Sequence, residues 1–85
     1  MAVTDEIRDR LQQAFSPEVL EVIDESEKHR GHGGWREGGE THFLVRMSAA
    51  ALGPMTRISR HRAVHGALGP DLVGRIHALA LEVGG

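Results

Sequence analysis

Three groups of residues in this chain could do chemistry. His77 stands in the run Ile76-His77-Ala78-Leu79-Ala80-Leu81. His29 and His32 lie among Gly31, Gly33 and Gly34, and Arg57, Arg60 and Arg62 cluster with His61 and His65. A neutral imidazole ligates iron, zinc, copper or nickel and titrates near neutrality, so six histidines in 85 residues are a large stock of ligands. His77 shares parity with Leu79, Leu81 and Val83. It therefore reads either as a partly buried histidine with backbone partners, or as a metal ligand at a sheet rim with one ring nitrogen exposed. His29 and His32 are either solvated loop side chains or ligands around which the glycines let the chain fold. A closed zinc site would need further ligands, from His77 or from a partner. The arginines are either solvated or an edge that binds phosphate or carboxylate. By helical angle His61 falls in the stripe of Ile58, Val64, His65 and Leu68, which reads as packed.

Composition narrows the function classes. The chain has no cysteine, which removes disulfides, CxxC redox centres and thiolate nucleophiles. Ser26, Ser48 and Ser59 lack a nucleophile-elbow context, and a chain this small has little room to enclose a substrate. The expectation is a binding module and not an enzyme. A net charge of −2 argues against binding nucleic acid mainly by bulk charge. Acidic residues crowd positions 5–27, however, so the arginine cluster can still form a local basic patch. The start Met1-Ala2-Val3-Thr4-Asp5-Glu6 lacks the apolar run of a signal peptide. No window reaches the roughly 18 apolar residues of a membrane span. A soluble, cytoplasmic protein is expected.

The elements that must position these groups follow from periodicity. Val3, Ile7, Leu11 and Ala14 or Phe15 recur at helical spacing between Thr4, a candidate N-cap, and the stop Ser16-Pro17. Residues 18–25 read as a strand. The glycine-rich stretch 26–40, with Trp35 in its middle, reads as a long flexible loop. Thr41 to Met47 alternates, with Phe43, Val45 and Met47 on one face and His42, Leu44 and Arg46 mostly on the other. Ala49 to Pro54 reads as a connection and Thr56 to Leu68 as a second helix. Gly69-Pro70 stops that helix, Asp71 is placed to cap a short turn over Leu72 and Val73, and residues 76–83 read as a last strand. The order α-β-β-α-α-β predicts a single α+β domain over residues 1–85, with a three-stranded sheet and helices packed on one face.

Five ordered segments resemble the BolA family: Glu21-Val22-Ile23-Asp24-Glu25-Ser26, His29, Gly39-Glu40-Thr41-His42-Phe43, Arg60-His61-Arg62-Ala63-Val64, and Ile76-His77-Ala78-Leu79-Ala80-Leu81. The resemblance runs from about residue 5 to residue 83. It implies the class II KH-like fold, in agreement with the element order. It also implies a heterodimer with a monothiol glutaredoxin around a bridging [2Fe-2S] cluster, with glutaredoxin cysteine and glutathione as ligands on the far side. On this chain the implied ligands are His77 and His29, with His32 as the alternate in the same loop; the lack of cysteine resembles the histidine-loop subtype. The family's second activity, transcriptional regulation through DNA, would fall to the helix carrying Arg57, Arg60 and Arg62. The Gly-x-x-Gly clamp of KH relatives is missing before that helix, since Gly31 to Gly34 lies in another loop. Many members carry an aromatic where this chain has Leu52 before Gly53. Many also continue past the last strand, and an open edge there could pair with a partner or with a second copy of the apo chain.

Overall fold

The computed structural model describes residues 2–26 and 41–85. Met1 and residues 27–40 lie outside the described residues, and with them His29, His32 and Trp35. Helix α1 spans Val3–Phe15, and strands β1 and β2 span Val19–Asp24 and His42–Ser48. A 3-10 turn follows at Ala50–Leu52, then helix α2 at Arg57–Leu68, a short helix α3 at Pro70–Gly74, and strand β3 at Ala78–Gly84. The sheet order is β1-β2-β3, with β1 antiparallel and β3 parallel to the central strand.

Alternation does most of the work in the sheet. Val22 on β1 and Phe43, Val45 and Met47 on β2 point to one face and are buried; Leu79, Leu81 and Val83 on β3 pack beside them. That face meets Ile7 and Leu11 of α1, Val64 and Leu68 of α2, Leu72 of α3 and Leu52 of the 3-10 turn, all with no exposed surface. The parallel pairing of β2 with β3 requires a crossover, and α2 and α3 supply it. On the open face Arg46 and Glu82, opposite each other in the register, form an exposed ion pair at 2.6 Å. Close backbone approach fixes the far end of β3: a Cβ on Gly85 would fall 2.4 Å from Gly53 Cα.

The caps differ from the sequence expectation. Ala2 and not Thr4 precedes α1, and it offers no side-chain cap; Thr4 already lies in the first turn. The helix ends at Ser16, in the left-handed region at φ 44°, where Pro17 cannot continue it. Thr56 does cap α2, accepting from the Ser59 N–H at 3.1 Å. Helix α3 begins at Pro70 after Gly69, so Asp71 sits in its first turn and is not the cap. Pro70 at the first helical position lacks an N–H that would be unpaired there in any case. The last strand starts at Ala78, two residues later than expected, which leaves His77 just outside it.

Charged contacts tie α1 to the crossover. Glu6 accepts two hydrogen bonds from Arg75, at 2.9 and 3.1 Å, and Arg10 donates to the Leu68 carbonyl at the end of α2. The Arg75 hydrogen bonds hold the Glu6 carboxyl below its ordinary value of 4.5. Partial removal from water opposes this, and the charges of Arg75 and Arg10 reinforce it. A carboxyl that binds its proton less readily in the folded chain contributes stability above its ordinary pKa, and loses it as pH falls through the folded value. Glu6→Gln should therefore be less stable than wild type at neutral pH and converge with it in acid, read from urea melts across the pH range. Leu11→Ala should cost about 2–5 kcal/mol in the same assay, because it opens a cavity between α1 and the sheet.

Candidate functional site

One end of the sheet gathers the stems of the β1–β2 connection and the entry to β3. Antiparallel pairing brings Asp24 beside Phe43, and parallel pairing brings His42 beside Ala78. Thr41 and His77, each one residue before its strand, and Ser26, two residues past the end of β1, therefore meet at one rim. Ser26, Thr41 and His42 are the buried polar residues of the described chain, 2%, 0% and 4% exposed. Buried polar groups need partners, and here they find one another. The Ser26 hydroxyl donates to the Asp24 carboxylate and accepts from the N–H of Thr41 at 3.0 Å and of His42 at 3.3 Å. The Glu25 N–H donates to the His42 carbonyl at 2.7 Å.

Thr41 is the junction. Its carbonyl accepts from the N–H groups of both His77 (2.8 Å) and Ala78 (3.1 Å). Its hydroxyl lies 3.2 Å from Ser26 Oγ and 2.8 Å from His42 Nδ1. The His42 and His77 rings touch, with centroids 5.1 Å apart and planes tilted by 53°. His77 itself is exposed, and among the described residues no hydrogen bond engages its ring. The strand-parity expectation for His77 thus gives way to a residue bent out of the sheet at its rim. The expectation for His42 also changes. It shares the outer face of β2 with Leu44 and Arg46, yet it is buried while Arg46 is exposed.

In the sequence Thr41 and His42 open a strand with no role marked for either. The usable signal was two polar residues opening a strand whose next odd positions are all apolar. Ser26 carries no such signal: only the pairing of β1 with β2 sets it against residue 41.

The exposed imidazole of His77 suits iron as a ligand, and its backbone is held on both sides of the strand entry. Among the described residues there is no group of three or more His, Cys, Asp or Glu that could hold a metal ion. A metal group at His77 would therefore need further ligands from beyond this set. The described chain leaves this rim at Ser26 and returns to it at Thr41.

The arginine helix is arranged differently from its sequence expectation. Of the stripe proposed for His61, Val64 and Leu68 are buried and His61 is half-buried, but Ile58 is 66% exposed and His65 is exposed, so it packs only in part. The core face of the helix is Val64 and Leu68 of that stripe together with Ala63 and Ala67. Arg57, Ile58, His61, Arg62 and His65 line a shallow depression of about 290 Å³. Arg60 turns away from it, donating to the carbonyls of Leu52 at 2.8 Å and Gly53 at 3.0 Å. Arg57 and Arg62 remain exposed on a helix that carries no acidic residue.

Comparison with known proteins agrees with this architecture. The BolA family profile, described as BolA-like protein, matches residues 11–84. The chain is 45% identical over 76 residues to BolA-like protein 1 of Mus musculus, covering 89% of this chain and 53% of that protein, so it spans about half the length of that relative. It is 35% identical over 80 residues to the DNA-binding transcriptional regulator BolA of Vibrio cholerae, covering 94% of this chain and 72% of that one. The solved BolA domain of SufE1 from Arabidopsis thaliana superposes with a TM-score of 0.81 at 33% identity, over 95% of this chain and 88% of that one. A matched profile over most of the length, relatives above 30% identity and the same α+β arrangement lead to one conclusion: the chain belongs to the BolA-like family.

Proposed function

We propose that this chain is the histidine-bearing half of a heterodimer with a monothiol glutaredoxin, formed around a shared [2Fe-2S] cluster and acting in iron-sulfur trafficking or iron sensing. The observation that carries the reading is the presentation of His77: its ring is exposed and its backbone is fixed by the Thr41 carbonyl, at the rim where the chain bearing His29 and His32 departs and returns. His77 and one of the two loop histidines are the ligands on this side, and glutaredoxin cysteine and glutathione complete the set. When bound, such a cluster supplies one-electron chemistry at a potential that neutral imidazole ligation raises relative to thiolate. This chain contributes two neutral ligands and a rigid sheet edge; it binds and orients, and does not catalyse. No helix among the described residues is long and apolar enough to cross a membrane.

A second reading has its own observation. Helix α2 exposes Arg57 and Arg62 beside Ile58 with no acidic residue on the element, as a helix laid against a nucleic-acid backbone would. The Vibrio relative is named as a DNA-binding regulator. In this reading Arg57 and Arg62 make the phosphate contacts, and Arg60 holds the helix to the 3-10 turn.

Two measurements check these readings. Mixing the purified chain with cluster-loaded monothiol glutaredoxin and glutathione should give a new visible circular dichroism spectrum that His77→Ala abolishes. An unchanged glutaredoxin spectrum and no complex on size exclusion would sink the cluster reading. For DNA, the double change Arg57→Ala and Arg62→Ala should lower the slope of log affinity against log salt by about 2, one phosphate contact for each lost charge. An unchanged slope would remove α2 as the contact.

A further inference from the structure

His77 is exposed, but its imidazole is not free to point anywhere. Its backbone N–H is held by the Thr41 carbonyl at 2.8 Å, and one side of its ring lies against the ring of His42 at a centroid distance of 5.1 Å. His42 in turn is 4% exposed, and its Nδ1 lies 2.8 Å from the Thr41 hydroxyl. Thr41, with no exposed surface, therefore acts on His77 twice: on its backbone through the carbonyl, and on its ring through the hydroxyl and His42. We propose that Thr41 and His42 are positioning residues, the Thr41 hydroxyl fixing the plane of the His42 ring so that His42 sets the direction in which His77 offers its imidazole.

The physical reason lies in preorganisation. An exposed histidine samples several side-chain rotamers, and ordering them on ligation opposes binding. A ring packed on one side by a second, hydrogen-bonded ring has lost most of that freedom beforehand. Outer-shell partners of this kind commonly hold ligating histidines, although they usually bond the ligand's own second nitrogen. Here the control passes through a tilted ring contact, with the planes 53° apart. The Ser26 hydroxyl completes the arrangement by accepting from the Thr41 and His42 backbones, so the positioning unit cannot shift without breaking the loop stem. The inference deepens the cluster reading and takes its functional meaning from it.

Two substitutions at Thr41 separate positioning from packing. Thr41→Val keeps the shape and removes the hydroxyl, whereas Thr41→Ser keeps the hydroxyl and removes a methyl group. A residue that only fills space in the core should tolerate Val better than Ser. A positioning residue should show the reverse order. The first readout is the carbon-13 relaxation of the His77 ring in the apo chain; the second is affinity for cluster-loaded monothiol glutaredoxin. We expect His77 order parameters to fall in Thr41→Val and to stay at the wild-type level in Thr41→Ser. Affinity should drop about 10- to 100-fold in the first and recover in the second, the range seen for outer-shell changes. His42→Phe, which keeps a ring beside His77 but loses the hydrogen bond, should follow Thr41→Val and decides the matter if that variant fails to fold. Wild-type ring dynamics in Thr41→Val or His42→Phe, or a Ser variant worse than Val, would overturn the inference. If wild type takes up no cluster at all, the cluster reading falls and the apo relaxation data still decide the positioning.

Discussion

The central strand has two neighbours of opposite direction, and most of the molecule follows from that constraint. Because β2 runs antiparallel to β1, the connection between them lies at the end of the sheet where β2 begins. Because β2 runs parallel to β3, the start of β3 lies at that same end. The chain must travel the length of the sheet to make the parallel pair, and α2 and α3 are that return path. The constraint thus covers one sheet face with helices and brings His77 to the stems of the histidine-bearing connection in a single stroke. No local feature of either segment could do so.

That rim is also where the fold departs from a simple apolar core. Elsewhere the buried set among the described residues is apolar, with Phe43 its largest member. At the rim Ser26, Thr41 and His42 are buried and mutually hydrogen-bonded. Leaving any of their donors or acceptors unpaired would cost about 1–3 kcal/mol, so the network is stable only when complete. Completeness confers rigidity, and rigidity is what the proposed shared cluster site would require of this rim. The opposite end of β3 is held by other means, through Ala49 donating to the Gly84 carbonyl and the close approach of Gly85 to Gly53. The two ends of one strand therefore differ in kind: one polar and presenting a histidine, the other closed by backbone against backbone.

The arginine helix shows how a charge pattern misleads when read without packing. Arg57, Arg60 and Arg62 look alike in sequence. In the fold, Arg60 joins α2 to the 3-10 turn through two carbonyls, while Arg57 and Arg62 face solvent beside an exposed Ile58. Helical angle alone gave Ile58 and Val64 one shared stripe. The core is narrower than that stripe, because α2 meets the sheet only along the side of Val64 and Leu68.

Element order, the alternating core face of β2 and the helical spacing of Val3, Ile7 and Leu11 were all legible in the sequence, because each depends on a period of two or 3.6 along a single segment. So were the ordered segments of the BolA resemblance, with His77 among them. Terminal details were less legible: Ala2 in place of Thr4, Gly69 in place of Asp71, and a last strand starting two residues late are decided by small differences between neighbouring residues at an end. The role of Ser26 and the contact of His42 with His77 were not legible at all. Each depends on residues 15 or more positions apart meeting at the sheet rim, and only the strand pairing sets that distance. Sequence patterning determined which faces are apolar and in what order the elements come; tertiary structure alone decided which polar side chains they enclose, because hydrogen-bond partners are chosen in space and not along the chain.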